Sequence, residues 1–331
     1  MVKGLFIMSK SFFDLVYPAN VKKEIEQLAD IYAPVMTKEE VEQNKSILQD
    51  VEVIFSGWGG PTLNQEFLDA APNLKVMFYA AGTIKTIATE ASWKRNIVMT
   101  TANYANAIPV AEYTLSQILF SLKNGWSFIR DVRNQKKYPE KPYYHLQGAF
   151  GSTVGIISLS TIGRLVNELL QPFDINVLVS SSISDEEAEQ LNVKKCTIDE
   201  IFEYSDVVSL HTPLLPETRG MIKGSHFASM KTNATFINTA RGAIVRESEM
   251  IDVLKRRRDI TAVLDVTDPE PPSEDSMLYT LPNIVLTPHI AGSEGKECGR
   301  LGTYMLEEFK RFLAGETLKW RVTKQQFESM A

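Results

Sequence analysis

Short apolar runs rich in β-branched and aromatic residues alternate with longer amphipathic stretches along almost the whole chain. GLFIM (4–8), DVEVIF (50–55) and LKVMFYA (74–80) read as strands, while VKKEIEQLA (21–29) and KEEVEQNKSIL (38–48) read as helices between them. Strands that alternate with helical crossovers imply a parallel sheet and an α/β architecture. A second series starts near Gly151, with GSTVGIISLS as a strand and turn, and TIGRLVNELL as a helix that Pro172 helps to end. DINVLVSSS is the next strand, with Asp174 at a turn position where Asp tolerates left-handed backbone. DVVSLHTP, ATFINTA, ITAVLDV and NIVLTP complete the series, and their near-continuous apolar character suits strands covered on both faces.

The expected fold is therefore α/β, with two Rossmann-like or flavodoxin-like doubly wound parallel-sheet domains. Between the two series, AIPVAEYTLSQILFSLKNG (107–125) reads as a long helix with Leu115, Ile118, Leu119 and Leu122 on one face. A second long helix, near Leu301 to Leu313, follows the last strand. Two long helices at the junction are what a chain needs to enter and leave an inserted domain. This predicts a discontinuous first domain over 1–105 and 295–331, with a second domain over 106–294 inserted into it.

A length of 331 residues gives each domain enough chain to bury its own core. The formal net charge of -6 argues against broad nucleic-acid binding, which needs a basic surface. The two cysteines, Cys196 and Cys298, supply neither a disulfide framework nor a zinc cluster, so no metal is expected. The amino-terminal apolar run is soon broken by Lys10 and Asp14, and no apolar stretch is long enough to span a bilayer. No membrane or nucleic-acid partner is expected, and a cytoplasmic enzyme is the simplest class.

In a dinucleotide-binding unit the first strand runs into G-x-G-x-x-G and then a helix. The first glycine makes the turn, the second admits the pyrophosphate, and the third lets helix and strand pack closely. Here the stretch is S-L-S-T-I-G, with Ser158 and Ser160 at the first two glycine positions and Gly163 kept. The acid expected about twenty residues on to hold the ribose hydroxyls is replaced by Ser180-Ser181-Ser182. Loss of that carboxylate removes the repulsion that excludes a 2′-phosphate, so both NAD and NADP are open. A degenerate turn with no ligand is the alternative on local sequence alone.

Four blocks in order, SDVVSLHTPLLPETRGMI, FINTARGAIV, VLDVTDPEP and LTPHIAGS, resemble those of the D-isomer-specific 2-hydroxyacid dehydrogenases. The resemblance covers most of the chain, is strongest in the second series, and weakens in the first. It implies an NAD(P)-dependent oxidoreductase that interconverts a D-2-hydroxy acid and its 2-keto acid, with Arg241, Glu270 and His289 as the catalytic trio. A guanidinium at Arg241 pairs with the substrate carboxylate and polarises its carbonyl. An imidazolium at His289 donates a proton to the carbonyl oxygen. A carboxylate at Glu270 favours the charged ring. Asp268 reads as a surface acid.

The resemblance further implies a cofactor-binding set. Ser160, Thr161, Ile162 and Gly163 stand at the helix start and Ser181 at the ribose. His211, Thr212 and Pro213 line the ribose and phosphate side, and Thr239 and Ala240 the nicotinamide side. Asp265 meets the carboxamide, and Arg241, His289 and Gly292 complete the set. The backbone of Ala81, Gly82 and Thr83 is expected to hold the substrate carboxylate, with Asn106 nearby, although a helix-capping Asn106 is an equal reading. Trp58 is a candidate wall of that site, and Trp58, Tyr79 and Tyr104 together suggest an apolar substrate side group. A homodimer is expected by resemblance. The reading from another class is a nucleotide-sensing or scaffolding protein of this fold, as some transcriptional corepressors are, motivated by the serine-for-glycine changes.

Overall fold

The computed structural model describes residues 1–140 and 146–329. The chain divides into two compact units, residues 1–106 with 293–331, and residues 107–292. Each holds one fully parallel sheet.

The first unit contains β1 (Val2–Ile7), β2 (Ala29–Ile31), β3 (Val53–Ser56), β4 (Val76–Tyr79) and β5 (Val98–Thr101) in the order β2-β1-β3-β4-β5. Leu5, Ile54 and Met77 face one side into a core with Leu48 and Leu63, while Phe6, Phe55 and Phe78 face the other. That second face packs an aromatic cluster in which Phe55 meets Phe78 at 5.4 Å and Phe309 at 5.0 Å. Phe309 belongs to the helix Cys298–Ala314, which ends at Gly315 in left-handed backbone. The period of two along each strand sorts the side chains between the faces, and burial on both sides explains the unbroken apolar runs.

The second unit contains β6 (Thr153–Ile157), β7 (Asn176–Ser180), β8 (Lys194–Lys195), β9 (Val207–Leu210), β10 (Thr235–Asn238), β11 (Thr261–Leu264) and β12 (Ile284–Leu286). Their order is β12-β11-β10-β9-β6-β7-β8. The direction of winding reverses between β6 and β9, and in such sheets ligands bind outside the carboxyl ends of the strands at that switch point. Val154, Ile156, Val177 and Val179 bury one face against Val166 and Leu170 of the helix Thr161–Leu170. The other face, which includes Phe236 of β10, meets Phe202 and Phe227.

Three local expectations change. KEEVEQNKSIL is not one helix: Lys38–Gln43 is α-helical, with a Thr37–Glu40 capping box, and Lys45–Leu48 is a short 3-10 turn. Asn44 stands between them at φ -138° and ψ 65°, and asparagine side chains compete with helical backbone bonding. The long helix starts at Asn103 and runs to Leu122 with Pro109 inside it, so Asn106 is not its cap. Asp174 is absent from the residues with positive φ. Gly151 takes that conformation at φ 73° and donates its N–H to the Asp174 carbonyl at 2.7 Å.

Candidate active site

The loops after β10, β11 and β12 gather the three catalytic candidates within the second unit. After β10, the buried Asn238 shapes the turn through its own amide. Its Oδ1 accepts the Ala240 N–H at 3.0 Å and its Nδ2 donates to the Arg241 carbonyl at 3.2 Å. This fixes the backbone that presents Arg241, whose Nη1 donates to the Ala240 carbonyl at 2.6 Å. Burial lowers the Arg241 pKa below its ordinary value and the Glu270 charge opposes the shift. A guanidinium stays charged under such a shift.

Gly242 brings the next loop close. A Cβ there would stand 2.0 Å from the Thr267 carbonyl carbon, so a side chain would push loop 267–270 away. Thr267 donates its N–H to Glu270 Oε2 at 3.4 Å and its hydroxyl to the Pro269 carbonyl at 2.8 Å. The Asp268 N–H reaches Glu247 at 3.3 Å, and its carboxylate pairs with Arg219 on the surface at 3.5 Å. Glu270 is thereby held facing His289, and its Oε1 lies 2.5 Å from His289 Nδ1.

His289 sits in left-handed backbone at φ 55°, a conformation disfavoured for a residue with a Cβ. Asp265 holds it there. The Asp265 carbonyl accepts the His289 N–H at 3.0 Å. Its buried carboxylate accepts the Thr287 hydroxyl at 2.6 Å and the Ile290 and Ala291 N–H groups at 2.9 Å each. Sequence reasoning placed Asp265 at the cofactor; the geometry gives it this second task as the anchor of the His289 loop. Tyr113, which the sequence did not single out, extends the chain with its hydroxyl 3.0 Å from Thr287 Oγ1.

At the switch point, Ser158 adopts φ 74°, so a serine makes the turn that the first glycine normally makes. Its N–H donates to the Ser180 carbonyl at 2.9 Å. Ser160 precedes the helix Thr161–Leu170 without capping it; its hydroxyl donates to the His211 carbonyl at 2.9 Å instead. The first helical N–H groups, at Thr161, Ile162 and Gly163, are thus left without a side-chain cap, which is the polarity an anion requires. Gly163 has no room for a side chain, since a Cβ would stand 2.2 Å from the Ser158 carbonyl oxygen. The backbone of a dinucleotide turn is present, and the residues fit a pyrophosphate there.

A groove of about 890 Å³ opens beside this turn. Of the expected cofactor residues, Ser181 and Thr212 line it. Ser158, at the first glycine position of the turn, lines it too. Arg164, Lys195 and Thr197 also line it and were not singled out by sequence reasoning; they are scattered along the chain, with no motif to link them. The His211 ring is buried, with Nε2 2.9 Å from Ser209 Oγ and, among the described residues, no partner for Nδ1. Burial pulls its pKa down to about 3. Pro213 accepts the Thr218 hydroxyl at 2.7 Å, and Thr239 Oγ1 lies 3.4 Å from Thr114 Oγ1. Ala240 is buried and Gly292 half-buried.

In the first unit, Ala81, Gly82 and Thr83 follow β4. The Thr101 hydroxyl donates to the Ala81 carbonyl at 2.8 Å and also bonds the Gly82 carbonyl. Among the described residues, the N–H groups of Gly82 and Thr83 donate to no protein acceptor. Asn106 accepts the Ser293 N–H at 3.0 Å. Trp58 meets Phe12 edge-on at 5.1 Å. Tyr79 is buried in the core, and Tyr104 stacks on Trp320 at 5.0 Å. Those two rings are committed to packing, which removes them as support for an apolar substrate. Among the described residues no cluster of three or more His, Cys, Asp or Glu could hold a metal ion, and no helix is long and apolar enough to cross a membrane.

Residues 115–291 match the family model described as the D-isomer specific 2-hydroxyacid dehydrogenase, NAD binding domain. The chain is 31% identical over 299 residues to a D-3-phosphoglycerate dehydrogenase of Methanocaldococcus jannaschii, covering 89% of this chain and 55% of that one. A second D-3-phosphoglycerate dehydrogenase, from Archaeoglobus fulgidus, is 32% identical, covering 76% and 48%. The chain thus spans about half the length of these curated relatives. A glyoxylate reductase of Korarchaeum cryptofilum is 29% identical, covering 84% of this chain and 86% of that one. Among solved structures, a D-isomer specific 2-hydroxyacid dehydrogenase from Lactobacillus delbrueckii in its NAD-complexed form has the same fold. Its TM-score is 0.78 at 21% identity, over 97% of this chain and 100% of that one.

Proposed function

The chain belongs to the D-isomer-specific 2-hydroxyacid dehydrogenase family, and from that premise we propose that it reduces a 2-keto acid to the D-2-hydroxy acid and catalyses the reverse. The observation that carries this reading is the 2.5 Å contact between His289 Nδ1 and Glu270 Oε1, with the Arg241 guanidinium in the Glu270 field. A carboxylate on Nδ1 orients the ring and leaves Nε2 as the nitrogen that exchanges a proton with substrate.

Arg241 pairs with the substrate carboxylate and draws charge onto the carbonyl oxygen, an interaction that strengthens as that oxygen becomes an alkoxide. His289 gives its Nε2 proton to that oxygen in reduction, and takes it back in oxidation. A nicotinamide cofactor, when bound, supplies the hydride for the carbonyl carbon. Thr161, Ile162 and Gly163 would hold its pyrophosphate at the helix start, with Ser181 and Thr212 along its adenosine half. Assembly as a homodimer is part of the same proposal, supported by the exposed Phe120 and Ile129 and checked by mass in solution.

The test is oxidation of reduced cofactor in the presence of a panel of 2-keto acids, with the product resolved into enantiomers. Turnover to the D-hydroxy acid is expected. Tight nucleotide binding with no turnover of any keto acid would favour the scaffolding reading instead.

A further inference from the structure

We propose that the groove at the carboxyl ends of β6 and β7 is a site for a ribose that carries a 2′-phosphate, so that the preferred cofactor is NADP(H). This inference rests on the dehydrogenase reading and names the cofactor of the same site.

The argument starts at the end of β7. A carboxylate there would accept the ribose hydroxyls and repel a phosphate; Ser181 and Ser182 stand there instead and line the groove. The Ser181 hydroxyl oxygen accepts the Leu159 N–H at 3.2 Å. Its own hydrogen remains to be donated, since a serine hydroxyl donates one bond and accepts two. The turn at Ser158 and the strand end at Ser181 are thereby tied together with a donor left over.

Two cations line the same groove, Arg164 from the helix Thr161–Leu170 and Lys195 from β8. Each is held by one acid of the helix Asp185–Gln190. Arg164 Nη2 lies 2.7 Å from Glu187 and Lys195 Nζ lies 2.8 Å from Asp185. Neither acid lines the groove. One contact leaves an ammonium two donors and a guanidinium four, which suits a phosphomonoester bearing close to two negative charges and three acceptor oxygens. Glu200 is the one carboxylate of the lining. Its Oε2 is already engaged by the Thr197 N–H at 2.8 Å and the Thr197 hydroxyl at 2.9 Å, in the cap of its own helix. The groove therefore offers a 2′-substituent hydroxyl donors and two cations, and presents the one carboxylate only in a committed form.

The test is calorimetric titration of nucleotide-free protein with NADPH and NADH, repeated for Arg164→Ala combined with Lys195→Ala, and for Ser181→Asp. All three side chains are at least partly exposed, so the variants should fold, and thermal melting checks this. NADPH should bind at least tenfold tighter than NADH. The double variant should lose most of that advantage with the NADH affinity changed less than about threefold, and Ser181→Asp should reverse the preference. The advantage should also shrink as salt rises, because exposed charges are screened. NADH binding as tightly as NADPH would overturn the 2′-phosphate site and leave the dehydrogenase reading standing. An NADPH preference unmoved by the variants would overturn the assignment to these residues. Binding of neither nucleotide would overturn both readings together.

Discussion

The turn after β6 and the edge formed by the loops after β10, β11 and β12 stand at the same end of one sheet, yet they hold their geometry by different means. At the turn the backbone path is kept while two side chains depart from the expected pattern. Ser158 takes φ 74°, and the Ser160 hydroxyl bonds across to the His211 carbonyl. At the proposed catalytic edge the expected side chains are all present, and the backbone is bent around them, with His289 in left-handed backbone under an anchor at Asp265. The difference teaches that a phosphate-binding turn is defined by where its N–H groups point. A proton-transfer site is defined by which atoms meet.

That contrast breaks most readily at Arg241. Arg241→Ala should lower kcat/KM for keto-acid reduction by about 10²–10³, the range for loss of one donor to a developing oxyanion. The nucleotide affinity should fall far less than kcat/KM, because Arg241 is one of many expected cofactor contacts. Loss of nucleotide binding instead would mean that the two regions are not separable.

Two glycines sharpen the same division. Gly163→Ala and Gly242→Ala each force a Cβ against backbone, at 2.2 Å and 2.0 Å, and each should cost about 1–3 kcal/mol of stability. Their functional losses should differ. The first should weaken nucleotide binding, and the second should lower turnover at saturating cofactor, because it moves loop 267–270 away from Arg241. Denaturant unfolding and single-turnover rates measure the two effects.

A pH effect follows from His211, buried and neutral beside the turn. Its folded pKa of about 3 lies below the ordinary value of about 6.5. The unfolded chain therefore binds the extra proton first. Stability contributed by the neutral ring is fully present above about pH 6.5 and is lost as pH falls toward 3, by at most about 1.4 kcal/mol per pH unit. His211→Gln should flatten the fall in melting temperature between pH 7 and 5. An unchanged slope would assign acid sensitivity elsewhere.

The smallest effect is expected at Ser158. Ser158→Gly relieves about 1 kcal/mol of left-handed strain and restores about 0.5–1 kcal/mol of unfolded-state freedom. Net stability should move by less than about 0.5 kcal/mol and nucleotide affinity by less than about threefold. A large gain in affinity would show that the serine impairs the turn.

Much of this was legible in the sequence for physical reasons. Strands such as Val207–Leu210 and Thr235–Asn238 are buried on both faces, so they read as unbroken apolar runs. The helix Thr161–Leu170 has the bounds that its periodicity and the following Pro172 imply. Glu270 and His289 were placed by resemblance, and their contact needed coordinates. What the sequence hid is of two kinds. Backbone conformation at Ser158 cannot be read from residue type, because serine there looks like a broken motif. Neighbours brought together only by the sheet, such as Arg164 and Lys195 or Tyr113 and Thr287, carry no spacing signal. Asn106 read equally as a residue near the substrate and as a helix cap; it stands inside the helix Asn103–Leu122, so it is no cap, and its amide oxygen accepts the Ser293 N–H.

The central claim is that proton transfer runs through His289. Its most direct test is keto-acid-dependent oxidation of reduced nicotinamide cofactor by the wild-type protein and His289→Ala, with cofactor affinity measured alongside. The account predicts a turnover loss of about 10²–10⁴, the contribution of a positioned general acid, measured at saturating cofactor so that any change in cofactor affinity is separated from it. Turnover retained within about threefold would contradict it.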